Sequence, residues 1–212
     1  LNRKLISNSN YVLRKVINSK DNIEILKNFI EAILNIKIDE IKLNPYLEKR
    51  EHYLPHEENF GVADVRVKTN ENEEINVGIQ FLDGIYYIQT KMLMYYAQIH
   101  LNQLEYEDKR EFARTATINI IDFGYFSSSE YDKTIRVGTN EGNMQLEELE
   151  MHVIELPKYT CENIESMSPK DEWISYLKGG NKKTLEKIIE NNKYIKQLDE
   201  LLEKYWYEEK ME

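Results

Sequence analysis

Two short runs close together in the chain, Val62-Ala63-Asp64-Val65-Arg66-Val67-Lys68 and Ile75-Asn76-Val77-Gly78-Ile79-Gln80-Phe81, alternate apolar and polar residues with a period of two. A half-buried β-strand imposes that period, because successive side chains leave opposite faces of the sheet. Val65, Val67, Val77 and Ile79 are thereby assigned to a core face, and Asp64, Gly78 and Gln80 to a polar one. The stretch between them, Asn70-Glu71-Asn72-Glu73, is short and polar, as a hairpin connection requires.

The remaining pattern surrounds this hairpin with helices and further strands. Residues from about Asn10 to Leu34 read as helix in two pieces. Asp21-Asn22-Ile23-Glu24 has the spacing of a capping box, and Ile23, Leu26, Ile30, Ile33 and Leu34 form one apolar stripe after it. Ile38 to Leu47 fits a first strand ended by Pro45. The charged stretch from Glu48 to Asn59 reads as a loop. Ile85 to Leu104, rich in Tyr, Met and Leu and free of Gly and Pro, predicts a helix packed on the sheet and covered elsewhere too. Thr115 to Phe123 is β-branched and predicts a buried strand. Tyr131 to Val137 and Leu149 to Leu156 predict two more, the second closed by Pro157. Asp171 to Leu177 predicts a short helix ended by Gly179-Gly180. The tail from Lys183 to about Trp206 carries Leu185, Ile188, Ile195, Leu198, Leu202 and Tyr205 at helical spacing with a break at Asn191-Asn192. Its stripe suits either core packing or the seam of a homodimer. The expected fold class is α/β, with residues 1–160 forming the core and 161–212 a C-terminal helical extension packed on it.

At 212 residues, 41% hydrophobic and 31% charged, the composition is that of a globular protein. No apolar run approaches a bilayer span and the start lacks a secretory pattern, so a cytoplasmic location is expected. Cys161 is the single cysteine, which excludes an internal disulfide and a cysteine-based zinc site. The formal charge of −10 argues against broad electrostatic attachment to DNA, although a local basic groove is compatible with an acidic remainder.

Metal-assisted phosphodiester hydrolysis needs carboxylates that hold a hard divalent cation and a group that positions the attacking water. An acid on one strand, with an acid and a polar residue two apart on its neighbour, meets that need. Asp64, position 78 and Gln80 have this spacing, but Gly78 stands where the second carboxylate belongs. On spacing alone the pattern is weak, because any half-exposed hairpin alternates polar residues.

The wider succession is more specific. Asn10-Tyr11-Val12-Leu13-Arg14, Asn28 to Leu34, Ala63-Asp64-Val65, Ile75 to Gln80, Tyr95-Tyr96, Asn102-Gln103-Leu104, Ile118 to Phe123, and Ile154-Glu155-Leu156-Pro157-Lys158-Tyr159 with the later Trp173 resemble the PD-(D/E)XK nuclease family transposases. The resemblance runs from about Asn10 to Leu177. It implies a restriction-endonuclease-like core, a mixed β-sheet flanked by helices, and DNA cleavage dependent on Mg²⁺ or Mn²⁺. Asp64 matches the family's metal-binding Asp and Gln80 its usual Gln. Gly78 replaces an expected Glu, and Asn10 replaces an acid typical of the first helix. The backbone carbonyl of Ile79 remains a possible metal ligand, with Asn10 and Lys91 as accessory positions. DNA is the implied partner. The site is expected to be impaired, and the alternative is a non-catalytic DNA-binding or regulatory relative of an active nuclease.

Other candidates are weaker. His52 and His56 have a ligand spacing, but Pro55 lies between them and no third ligand is in sight. His100 reads as a packing residue, and His152 alternates with core positions. Lys91 and Gln98 fit a solvated helix face better than a phosphate contact. The 15 tyrosines suggest stacking platforms, yet most fall at apolar-periodic positions, and packing is the expectation.

Overall fold

A computed structural model describes residues 13, 16–17, 19–43, 63–82, 84–103, 113–142, 144–160, 164–179 and 181–208. In chain order the elements are α1 (Ile23–Leu34), β1 (Ile38–Leu43), β2 (Ala63–Thr69), β3 (Glu74–Leu82), α2 (Ile88–Asn102), β4 (Arg114–Ile121), β5 (Asp132–Gly138), β6 (Gln145–Glu155), α3 (Pro169–Lys178), α4 (Lys182–Asn191) and α5 (Lys193–Glu208). The six strands form one mixed sheet in the order β1-β2-β3-β4-β6-β5. β1, β2 and β3 pair antiparallel, β3 with β4 and β4 with β6 pair parallel, and β5 returns antiparallel on β6.

Helices lie on both faces, giving three layers around the sheet. On one side Val65, Val67, Ile75, Val77, Ile79, Ile118, Ile120 and Ile154 meet α1 through Leu26, Phe29, Ile30 and Ile33, and the C-terminal helices through Trp173, Ile188, Ile195, Leu198 and Leu202. On the other side α2 sets Ile88, Met92 and Tyr96 against Leu82, Ile121, Met151 and Val153. The period-two strands and the helical stripes thus face each other, as amphipathic layers must to remove both apolar faces from water. The α/β mixed-sheet expectation is met. Ile188, Ile195, Leu198 and Leu202 of the C-terminal stripe are buried in this core, with Leu185 and Tyr205 partly buried against it.

Several local expectations change. The capping box at Asp21 and Glu24 does not form. Ser19 caps a short 3₁₀ turn by accepting from the Asp21 backbone N–H at 3.3 Å, while Asn22 turns inward and donates to the Val16 carbonyl at 2.9 Å. α3 begins two residues before the predicted start, with Pro169 in its first turn. Ser168 accepts from Asp171 N and the Asp171 side chain returns the bond, and Gly179 closes the helix at φ 75°. β6 is longer than its apolar part, starting at Gln145. α2 starts at Ile88, because Tyr87 takes a left-handed conformation at φ 59°. Its outer face is open rather than covered: Leu93, Met94 and Leu101 are exposed. Tyr95, Tyr96, Tyr159 and Tyr176 pack as expected, but Tyr86 and Tyr87 do not, at 81% and 79% exposure. No helix among the described residues is long and apolar enough to cross a membrane. Asn10, His52 and His56, the end of the predicted first strand and the loop after it, and Gly180 lie outside the described residues.

Candidate functional site

β2 and β3 pair so that Asp64 lies directly opposite Gly78, and β3 and β4 pair so that Gly78 lies beside Thr117 and Gln80 beside Asn119. Side chains two apart share a face, so Asp64, position 78 and Gln80 come together beneath α2. The three positions singled out by spacing are therefore neighbours. Their surroundings were not legible in advance. Asp64 is 1% exposed and accepts from Asn102 Nδ2 of α2 at 3.4 Å. Gln80, also 1% exposed, donates through Nε2 to Asn119 Oδ1. Asn119 in turn donates to Thr117 Oγ1 at 3.1 Å and to the His152 carbonyl at 2.9 Å. Gln80 is thus fixed at the end of a side-chain chain that crosses β4 to β6.

Position 78 is closed. A methyl group built on Gly78 falls 1.9 Å from Ile99 Cδ1, 2.9 Å from Tyr95 Cε1 and 3.1 Å from Tyr95 Cζ. Tyr95 is anchored in turn, its hydroxyl donating to the Ala63 carbonyl at 2.7 Å and lying 3.1 Å from the Ile79 carbonyl. The Ile79 oxygen that remained a possible metal ligand is therefore engaged by a phenol. Lys91 stands one helical turn before Tyr95 on α2, on the same side of the helix. His100 packs as expected, stacked on Tyr96 with its Nδ1 3.0 Å from Thr115 Oγ1.

Among the described residues, the divalent ion implied by the resemblance does not fit this set. Hard cations are held by several oxygen ligands, usually with more than one carboxylate. Here one buried carboxylate faces a glycine, the neighbouring carbonyl lies 3.1 Å from the Tyr95 hydroxyl, and the Gln80 amide is neutral, bonded to Asn119 through Nε2 with its Oε1 left without a partner among the described residues. Among the described residues no group of three or more His, Cys, Asp or Glu side chains is placed to hold a metal.

Two charged clusters escaped the sequence reading. At the C-terminal end of β6, Glu155 is fully enclosed. It accepts from the backbone N–H groups of Tyr125 and Phe126 at 2.5 and 3.1 Å and from Lys158 Nζ at 2.6 Å, and Lys158 also donates to the Phe126 carbonyl at 2.5 Å. Burial pushes this carboxyl up, but the lysine and the two N–H groups outweigh it and hold it below the ordinary carboxylate value. The i, i+3 spacing of Glu155 and Lys158 around Pro157 was the available signal. Nothing local announced that the partner would be the loop after β4.

On the face away from α2, Glu150 lies 2.5 Å from His152 Nε2, 3.3 Å from Arg136 of β5 and 3.9 Å from Arg114 of β4. The His152 bond, aided by the two guanidinium groups and opposed by burial, lowers the Glu150 carboxyl to about 2. A folded value below the ordinary 4.5 means that this pairing stabilises fully above 4.5 and is lost as the pH falls toward about 2. Glu150→Gln should therefore be less stable than the parent in urea at neutral pH, with the gap closing on acidification. A gap that persists unchanged in acid would show that the carboxylate charge is not what matters.

No curated protein and no solved structure matches this chain at a significant level. The family model of the PD-(D/E)XK nuclease family transposases matches residues 8–212. Nucleases of this class are generally dependent on divalent metals, and DNA is the substrate the family suggests. With a mixed sheet flanked by helices, and with the match covering nearly the whole chain, the protein belongs to the PD-(D/E)XK nuclease family transposases.

Proposed function

We propose that this protein engages DNA through the nuclease fold without hydrolysing it at the Asp64–Gly78–Gln80 hairpin, as a non-catalytic DNA-binding or regulatory member of its family. The observation that carries the reading is Gly78 itself, directly opposite Asp64, with Ile99 Cδ1 and the Tyr95 ring within 1.9–3.1 Å of where a Cβ would stand. A missing ligand alone lowers metal affinity, since even outer supporting groups are worth roughly 10- to 100-fold. Gln80, locked on Asn119, neither carries positive charge toward a developing phosphorane nor abstracts a proton.

One observation favours the rival reading, weakened hydrolysis with Mg²⁺ or Mn²⁺: position 64 carries a carboxylate although it is only 1% exposed, where burying a charge is costly. The two readings separate in a plasmid-nicking assay with either ion, run beside duplex binding measured by fluorescence anisotropy. The expected result is binding without nicking, and binding that survives Asp64→Ala. Nicking that Asp64→Ala abolishes would reject the non-hydrolytic reading. The acidic net charge adds a second expectation, that binding is weak and falls only shallowly with salt, because few phosphates are neutralised at once.

A further inference from the structure

Gly78 does not sit in open space left by a lost carboxylate. Ile99 and Tyr95, at 1% and 0% exposure, fill the volume above it, and the nearest contact to a would-be Cβ is the terminal Cδ1 of Ile99. Tyr95 cannot swing aside without giving up its bonds to carbonyls of both β2 and β3. A second observation points the same way. Asn76 and Gln80 flank the glycine on the same face of β3, and Asn76 Nδ2 and Gln80 Oε1 are buried with no hydrogen-bond partner among the described residues. One donor and one acceptor flanking the glycine are thus buried without partners, which is unfavourable unless the packing around them compensates.

We propose that Ile99, braced by Tyr95, is a plug fitted to Gly78, so that the hairpin is shut to a divalent cation by packing as well as by the absent acid. This rests on the non-hydrolytic reading and extends it. It follows that a carboxylate restored at position 78 does not by itself rebuild a metal site. Tyr95 belongs to the residues that carry the family resemblance, whereas Ile99 does not, and Ile99 is accordingly the residue to test.

The test is a double-mutant cycle in the full chain. Ile99→Val removes Cδ1, the atom that a Cβ at position 78 would meet first. Gly78→Ala is expected to lower the melting temperature by about 4–8 °C in the parent background, the usual penalty of overpacking a core in a chain of this size. In the Ile99→Val background the same change should cost less than half as much. Equal losses in both backgrounds, or no loss in either, overturn the plug. Titration with MnCl₂ alone by calorimetry then compares Gly78→Glu with Gly78→Glu/Ile99→Ala. At least tenfold tighter binding by the double variant, removed by adding Asp64→Ala, is expected, and equal affinity overturns the proposal. Should Gly78→Glu fail to fold, the milder cycle still decides. Parent-protein nicking that needs Asp64 would defeat the non-hydrolytic reading, whereas the coupling between positions 78 and 99 is settled by melting temperature alone.

Discussion

Glu155→Ala should destabilise the protein by about 3–5 kcal/mol, the range found when one member of a buried ion pair is removed and the other left uncompensated. In a chain of this size that corresponds to a fall in melting temperature of about 10 °C, measurable by thermal or urea unfolding. The size of the effect follows from the geometry: the substitution strands Lys158 beside the Phe126 carbonyl and leaves the N–H groups of Tyr125 and Phe126 without their acceptor. Glu155→Gln keeps an acceptor and should lose less. Since the folded carboxyl lies below its ordinary value, its contribution is complete at neutral pH and declines on acidification through the folded value. A Glu155→Ala protein as stable as the parent would mean that the loop after β4 is held by something else.

Trp173→Ala is expected to cost a similar amount, about 3–5 kcal/mol, as for other large aromatic truncations in a closed core. Trp173 meets Phe29 of α1 edge-on at a centroid distance of 5.3 Å and donates from Nε1 to Asn28 Oδ1 at 3.0 Å. It is the member of α3 that fastens the C-terminal helices to α1. Trp173→Phe restores part of the volume but leaves Asn28 Oδ1 without this donor, and should fall between the two. Urea unfolding of the three proteins gives the order directly. Equal stability of Trp173→Ala and the parent would remove α3 from the cooperative core.

These two expectations bear on how the family signature is understood here. Its most specific segment, Ile154 to Tyr159 with Trp173, is an anchor for one loop and one helix. Glu155 ties down the loop at the end of β4, and Tyr159 packs edge-on against Tyr131 at 5.0 Å.

The strands and helices were readable because each has a period imposed by its own backbone. Val65, Val67, Val77 and Ile79 declared a strand face without reference to anything distant, and the stripe from Ile188 to Leu202 declared a helical one. The neighbourhood of Asp64, Gly78 and Gln80 was readable for the same reason, since antiparallel pairing carries alternation from one strand to the next. The Ser19 cap was misread because Asp21 and Glu24 offered an equally good local pattern, and the choice between them depended on Asn22 finding the Val16 carbonyl.

What the sequence determined alone was the α/β order, the core faces and the identity of the three hairpin positions, because those depend on contacts between residues near one another in the chain or on a fixed repeat. Only the tertiary structure decided that Ile99 fills the space over Gly78, that Tyr95 takes the Ile79 carbonyl, and that Gln80 is tied through Asn119 to β6. These are contacts between separate elements whose approach is set by the packing of α2 on the sheet, and no spacing within either element encodes that distance.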